Sequence, residues 1–261
     1  MDSWLVALDI DGTLVDYGQD LSPRVAEAVA RVREAGHHVV LATGRSIPAT
    51  IVVANQLGLD DGGAVCSNGA LTIRLVAHGY EIAEQRTFDP GPALRLLSER
   101  VPDAHFAVED VGVGFRVNKP FPPGELHGEH VVVGMGDLAA ERVTRLVVRS
   151  PEHTPADFHA MAAAAGLSDV TYAIGWTAWM DIAPEGVTKA AALEPLRVRL
   201  GVGDRTLAVG DGHNDVEMLR WATRGVAMGH APQDVVDAAD EVTEAVDLDG
   251  VVPVLTGLLD A

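Results

Sequence analysis

The stretch "WLVALDIDGTL", Trp4 to Leu14, decides how this chain is read. Its unbroken apolar opening suits a strand buried on both faces, as strands of parallel sheets are. The run ends on two aspartates, Asp9 and Asp11, one residue apart and followed by Gly12 and Thr13. Each carboxylate raises the cost of ionising the other, so the pair calls for a compensating charge. Strand geometry sends residues i and i+2 to one side, which predicts that Asp9 and Asp11 face one place.

Working outward, "SPRVAEAVARVREAG" predicts a helix with Ser22 as N-cap, Pro23 at its first position and Gly36 as its stop. "HHVVLATG" reads as a second buried strand, "SIPATIVVANQLG" as a second helix, and "GAVCSNGA" as a strand and a turn. This alternation implies right-handed crossovers and a doubly wound, mostly parallel α/β sheet. From about Tyr80 the pattern changes. "EIAEQRTF" reads as half of a hairpin, "DPGPALRLLSERV" as a helix, and "HFAVED" with "VGFRVNK" as a strand pair. "RVTRLVVRS" is a strand, "TPADFHAMAAAAG" a helix, and "VTYAIG" with "AWMDIA" a second pair. The order αββαββ predicts an antiparallel sheet with helices on one face. Between its halves "NKPFPPGELHGEH" is too rich in Pro and Gly for regular structure, and His127 and His130 read as solvated loop residues rather than metal ligands. After Pro184 the β/α alternation returns through "GVTKAAALEPLRVRLG", "RTLAVGD", "DVEMLRWAT", "GVAMG" and "APQDVVDAAD". One discontinuous core, residues 1–86 and 184–261, is therefore expected around an α+β insert at 87–183.

The chain has 261 residues, 48% of them hydrophobic, enough for a large core and a smaller second one. Its net charge of −19 repels phosphate backbones and anionic lipid, which argues against nucleic-acid and membrane partners. One cysteine, Cys66, excludes an internal disulfide, fits a reducing compartment and reads as a buried strand residue. The first residues lack a basic n-region, and no window reaches the ~20 apolar residues of a spanning helix. The expected location is cytoplasmic.

In open α/β sheets, ligands bind beyond the carboxyl ends of the strands. The polar residues gather at those ends: Asp9, Asp11, Gly12 and Thr13; Thr43, Gly44 and Arg45; Asp211, Asn214 and Asp215 in "GDGHND"; and Lys189 at a helix start. A hard divalent cation between Asp9, Asp11 and Asp211 relieves the repulsion, and Mg²⁺ takes such oxygen ligands together with a substrate phosphate. Gly12 lets backbone amides approach a phosphate, the Thr13 and Thr43 hydroxyls donate to it, and Lys189 supplies a positive point charge. Taken singly, Asp9 also reads as a strand-end cap, Thr43 as a helix N-cap, Arg45 as half of a surface ion pair, and Asn68 as a turn former. Trp176 and Trp179 in the insert either face a substrate or pack.

The series "DIDGTL", "TGR", "SNGA", "GVTK", "GDGHNDVEML" and "AMGHAP" resembles the motifs of the haloacid dehalogenase-like superfamily, specifically its Cof-type phosphatases with a subfamily IIB cap. The resemblance runs from Ala7 to about Asp249. It implies a Rossmann-like core, a cap made by the insert, and a Mg²⁺-dependent phosphomonoester hydrolase acting on a small phosphorylated metabolite. It also implies roles: Asp9 as the nucleophile that becomes an aspartyl-phosphate, Asp11 as general acid and then base, and Thr43 and Lys189 as phosphate-binding residues. Asp211 matches the metal-binding acid, beside Asp9 and the Asp11 backbone carbonyl, with Asp215 behind them. Gly12, Thr13, Gly44, Arg45 and Asn214 match the phosphate and substrate side. Two positions depart from the pattern, Ala190 where glycine is usual and His230 where asparagine is common. A phosphomutase using the same aspartyl-phosphate, or a binding protein on this scaffold, is the alternative; a dehalogenase is disfavoured because it needs neither Asp11 nor a metal. The insert carries thirteen acidic against seven basic residues from Phe88 to Ala183, which predicts a preference for monophosphates over polyanions.

Overall fold

The computed structural model describes residues 3–16, 18–150, 153–154, 156–157, 160, 170–174 and 179–259. They form two compact units. The first comprises Met1–Arg45, Thr50–Glu84 and Thr188–Ala261; the second comprises Ser46–Ala49 and Gln85–Val187.

The first unit is built on β1 (Leu5–Leu8), whose four residues are all buried. Helix α1 (Pro23–Glu34) follows, with the Ser22 hydroxyl accepting from the Arg24 amide and Val25, Ala28, Val29 and Val32 turned inward. Then come β2 (His38–Ala42), helix α2 (Ile47–Gln56), β3 (Gly63–Cys66), β4 (Leu71–Val76) and β5 (Gly79–Gln85). The strand order, once the later strands β12 (Thr206–Gly210), β13 (Arg224–Ala227) and β14 (Glu241–Val242) join, is β14-β13-β12-β1-β2-β3-β4-β5. Pairs from β14 to β3 are parallel and β3–β4 is antiparallel. The order reverses at β1, which is where a doubly wound sheet opens its ligand crevice. Register completes the placement. Leu8 lies level with both Val209 and Leu41, so Asp9, Gly210 and Ala42 leave the sheet side by side.

The segment "EIAEQ", read as half of a hairpin where the pattern changes, lies in β5, the outer strand beside β4 in this sheet. Its alternation reflects an exposed edge, where one face meets water.

The second unit contains helix α3 (Gly91–Arg100), β6 (His105–Asp110), β7 (Gly114–Val117), β8 (Glu129–Val132), the one-turn helix α4 (Met135–Leu138), β9 (Leu146–Arg149), β10 (Val170–Ile174) and β11 (Trp179–Pro184). The six strands run in the order β10-β11-β9-β6-β7-β8. Period-two alternation gives this sheet two apolar faces. Leu94 and Leu97 of α3 cover Phe106, Val108, Leu146, Val148, Met180 and Ile182 on one. Phe121 and Leu126, from the Pro-rich segment, cover Ala107, Phe115, Val117 and Val147 on the other. That segment is therefore a packed plug, and its end is β8, paired parallel to β7 in a sheet expected to be wholly antiparallel. His130 lies on this strand, exposed and edge-on to Phe115; His127 is exposed in the loop before it. Trp179 packs edge-on to Phe121, with ring centroids 6.1 Å apart. Trp176 and most of the helix expected from Thr154 lie outside the described residues.

The chain returns to the first unit through helix α5 (Lys189–Arg199), capped by the Thr188 hydroxyl on the Ala191 amide. Helix α6 (Val216–Trp221), the single turn α7 (Gln233–Val236) and helix α8 (Val251–Leu259) complete it. Leu193, Leu196 and Met218 pack there with Leu5, Ala7, Val40 and Ala208. Cys66 is fully buried at the end of β3. Among the described residues, no helix is long and apolar enough to cross a membrane.

Candidate active site

All the polar residues singled out at the strand ends belong to the first unit. The Asp9 amide donates to Val209, which carries the parallel pairing one residue past β1. The backbone then turns, and the Ile10 carbonyl accepts from the Thr13, Leu14 and Val15 amides. Gly12 has φ +80°, and a Cβ there would lie 2.4 Å from Asp211 Oδ2, so both backbone angle and space require glycine. Because the strand ends at Leu8, the alternation rule no longer links Asp9 to Asp11. The Asp11 carboxylate pairs with Arg45, outside the carboxylate cluster formed by Asp9, Asp211 and Asp215.

The carboxylates that do converge are Asp9, Asp211 and Asp215, each buried, with oxygens within 4.8 Å of one another. Lys189 lies in their midst at the first turn of α5. Its Nζ is 2.6 Å from Asp9 Oδ1 and 2.6 Å from Asp215 Oδ1. The other Asp215 oxygen accepts from the Asp211 amide at 3.0 Å and the Gly212 amide at 2.9 Å. Asp215 therefore braces Lys189 and shapes the loop that carries Asp211. Burial alone would strip the Lys189 charge, but Asp215 and Asp9 hold its pKa above the usual lysine range. Asp9 moves the other way from a typical ion-paired acid. Burial, and next the Asp215 charge, push its carboxyl well above the usual carboxylate range; Lys189 opposes this, while Asp211 and Asp11 add to it. Three buried carboxylates converge and one ammonium, bound to Asp9 and Asp215, lies among them, so the cluster is rich in negative charge.

A divalent cation fits that excess. Asp9 and Asp211 offer hard oxygen donors, the set contains no soft ligand, and the cluster lacks the charge such an ion brings. His230, the departure from the expected asparagine, borders the cluster: its Nε2 is 3.3 Å from Asp211 Oδ2, and its Nδ1 accepts from the Val246 amide at 3.4 Å.

Asp11 belongs to a second arrangement. Arg45 Nε donates to its Oδ2 at 2.9 Å and an Arg45 terminal nitrogen to its Oδ1 at 2.6 Å, a two-point fork. Gln19 donates to the same Oδ1 at 3.2 Å and accepts from Arg45, closing a triangle. Burial raises the Asp11 carboxyl, but the hydrogen bonds and charge of Arg45, with Gln19, outweigh it and leave the group below its ordinary value. Gln19 escaped the sequence reading; its φ of +70° and its bonds arise from tertiary structure, and nothing in "DYGQDLS" marks it.

The remaining candidates surround these two. Thr43 is fully buried, and its Oγ1 accepts from the Arg45 amide at 3.1 Å, folding the Thr43–Arg45 loop rather than capping α2. Gly44 lies against the Asn68 side chain. Thr13 is 1% exposed, and its Oγ1 makes no hydrogen bond to a described residue. Asn214 donates to Asn68 Oδ1 at 2.9 Å, so the asparagine read as a turn former is also tied to a site residue.

A family model for haloacid dehalogenase-like hydrolases matches residues 6–108 and 137–255. A phosphoglycolate phosphatase of Natronomonas pharaonis is 31% identical, covering 94% of this chain and 93% of that protein. The 5-amino-6-(5-phospho-D-ribitylamino)uracil phosphatase of Bacillus subtilis is 27% identical over 95% of this chain and 94% of its own. Among solved structures, the subclass IIB sugar phosphatase BT4131 matches with TM-score 0.82 and 22% identity, covering 98% of this chain and 99% of that one.

Proposed function

Because the chain belongs to the haloacid dehalogenase-like hydrolases, among their Cof-type phosphatases, we propose that it hydrolyses small phosphate monoesters through an aspartyl-phosphate on Asp9. The observation that carries this reading is the unbalanced cluster: three buried carboxylates, one lysine, and a glycine turn pressed against Asp211.

Asp9 Oδ2 attacks the phosphorus and the ester oxygen leaves with the proton of Asp11. Water then attacks the aspartyl-phosphate, giving its proton to Asp11 and returning Asp9. Lys189 neutralises charge on the transferring group, and Asp215 keeps its ammonium aimed there. Thr13 Oγ1, buried without a partner among the described residues, gains one in a phosphate oxygen; a buried hydroxyl left unpaired costs about 1–3 kcal/mol. Gly12, Thr43 and Gly44 shape the same cradle. Asn214 and Arg45 border it, with Arg45 acting through Asp11. Asp9, Asp211 and the Asp11 carbonyl would hold Mg²⁺, with Asp215 behind them, and the ion supplies charge neutralisation at the phosphoryl oxygens.

Monophosphates suit this charge balance better than bisphosphates. In the insert Arg116, Arg145 and Arg149 are already paired with Asp110, Asp181 and Glu125. Two relatives act by name on substrates with a single phosphate, phosphoglycolate and a phosphoribityl compound. The test is phosphate release across a panel of sugar and polyol monophosphates and matched bisphosphates, with Mg²⁺ and with chelator. The expected result is Mg²⁺-dependent release favouring monophosphates by kcat/KM. Undiminished release in chelator, or faster bisphosphate turnover, overturns the respective part.

A further inference from the structure

The turn Ser67-Asn68-Gly69 at the end of β3 has no role in the mechanism above, yet it touches three of the segments that build the site. Its three residues all have positive φ, +49°, +55° and +105°. Two are not glycine, and such backbone persists only where surrounding structure enforces it. Its backbone faces the Thr43–Arg45 loop, with the Ser67 amide donating to the Arg45 carbonyl at 2.8 Å and the Asn68 amide to the Thr43 carbonyl at 3.0 Å. Its glycine lies against the start of α5, where a Cβ on Gly69 would sit 2.3 Å from the carbonyl oxygen of Thr188, the neighbour of Lys189. Its asparagine reaches the third segment, accepting from Asn214 Nδ2 at 2.9 Å, and a Cβ on Gly44 would lie 3.1 Å from that same Oδ1.

We propose that Asn68 is a positioning residue. Its amide oxygen fixes Asn214, and its left-handed turn sets the spacing between the Thr43–Arg45 loop, Lys189 and the loop of Asp211 and Asp215. The inference rests on the phosphatase reading, since the residues it aligns are those assigned to phosphate and metal. The residue type follows from both demands. Asparagine tolerates left-handed backbone better than other side chains and also offers a carbonyl acceptor. Glycine meets only the first demand, alanine neither.

The substitution Asn68→Gly therefore keeps the turn and deletes the contact. Steady-state hydrolysis of an aryl phosphate in Mg²⁺ is compared for wild type, Asn68→Gly, Asn214→Ala and the double variant, with melting curves for each. The expected result is a roughly tenfold fall in kcat for either single variant, little change in melting temperature, and no further loss in the double variant, because both substitutions remove one contact. Asn68→Asp, which keeps the acceptor, recovers kcat while its added charge raises KM. Inorganic phosphate binding by calorimetry is the second readout, weakened severalfold in Asn68→Gly. Unchanged turnover and phosphate affinity in Asn68→Gly, or losses that multiply in the double variant, overturn the proposal. A wild type that binds phosphate but hydrolyses nothing strikes the phosphatase reading, and the calorimetry still decides the role of Asn68.

Discussion

Two regions of this molecule bury charge, and they do it differently. In the second unit Arg145 meets Asp181 at 2.6 Å, their side chains 9% and 17% exposed, and the Arg145 guanidinium also lies 6.0 Å from the Phe115 ring centroid. Arg149 meets Glu125 nearby, so Asp181 and Glu125 each have a cation of their own. In the first unit Asp9, Asp211 and Asp215 converge, with Lys189 on Asp9 and Asp215 and His230 beside Asp211. Burying an ion is costly, and a matched pair recovers that cost within the fold. An unmatched cluster does not, and it persists where a ligand completes it. Excess buried charge of one sign thus separates a working site from a structural brace, even where distances and burial look alike.

The comparison predicts opposite kinds of damage. Asp9→Asn should lower turnover by roughly 10⁴-fold or more while the protein still melts cooperatively. A variant with ordinary turnover would remove Asp9 from the chemistry. Arg145→Ala should do the reverse. Leaving the half-buried Asp181 without its partner costs up to about 3 kcal/mol, and calorimetry should show a melting temperature lower by several degrees, with turnover per folded molecule little changed. If Arg145→Ala lost turnover but not stability, the matched pair would be no mere brace.

A smaller effect concerns Asp11, whose pairing is local to the site yet matched. Arg45 helps to hold the Asp11 carboxyl below its ordinary value. That hold favours folding at neutral pH and is lost as pH falls through the lowered value. Arg45→Met removes it, so the Asp11 pKa rises and the acid form that protonates the departing ester oxygen persists to a higher pH. The alkaline limb of the kcat/KM profile should therefore move upward. A limb that stays in place would show that another group governs it.

How far such features can be read from the chain depends on whether they are local. Strands β1, β2 and β12 are legible because burial on both faces demands uninterrupted apolar runs, and α1 because Ser22, Pro23 and Gly36 mark its ends. Strand β8 was hidden: its four residues are exposed, follow a Pro- and Gly-rich segment, and are fixed only by pairing with β7. Helix α8 is hard to read although Val251, Val254, Leu255 and Leu258 recur at helical spacing, because Gly250 before it, Pro253 in its first turn and Gly257 within it mimic a loop. At the site, the positions of Asp9 and Asp211 follow from strand ends and that of Lys189 from a helix start, and these three lie together as their motifs lead one to expect. The Asp11–Arg45–Gln19 triangle and the Asn68–Asn214 bond depend on how loops cross, and sequence spacing does not encode that.

In the proposed mechanism Asp9 carries the phosphoryl group. Wild-type protein mixed with an aryl phosphate and Mg²⁺ for a single turnover, quenched in acid and reduced with borohydride, should yield homoserine in place of Asp9 by peptide mass spectrometry. The reduction marks the carboxyl that was esterified to phosphate, and neither Asp11 nor Asp211 should be converted. Rapid phosphate release with Asp9 unmodified throughout the turnover, or conversion of a different aspartate, would contradict it.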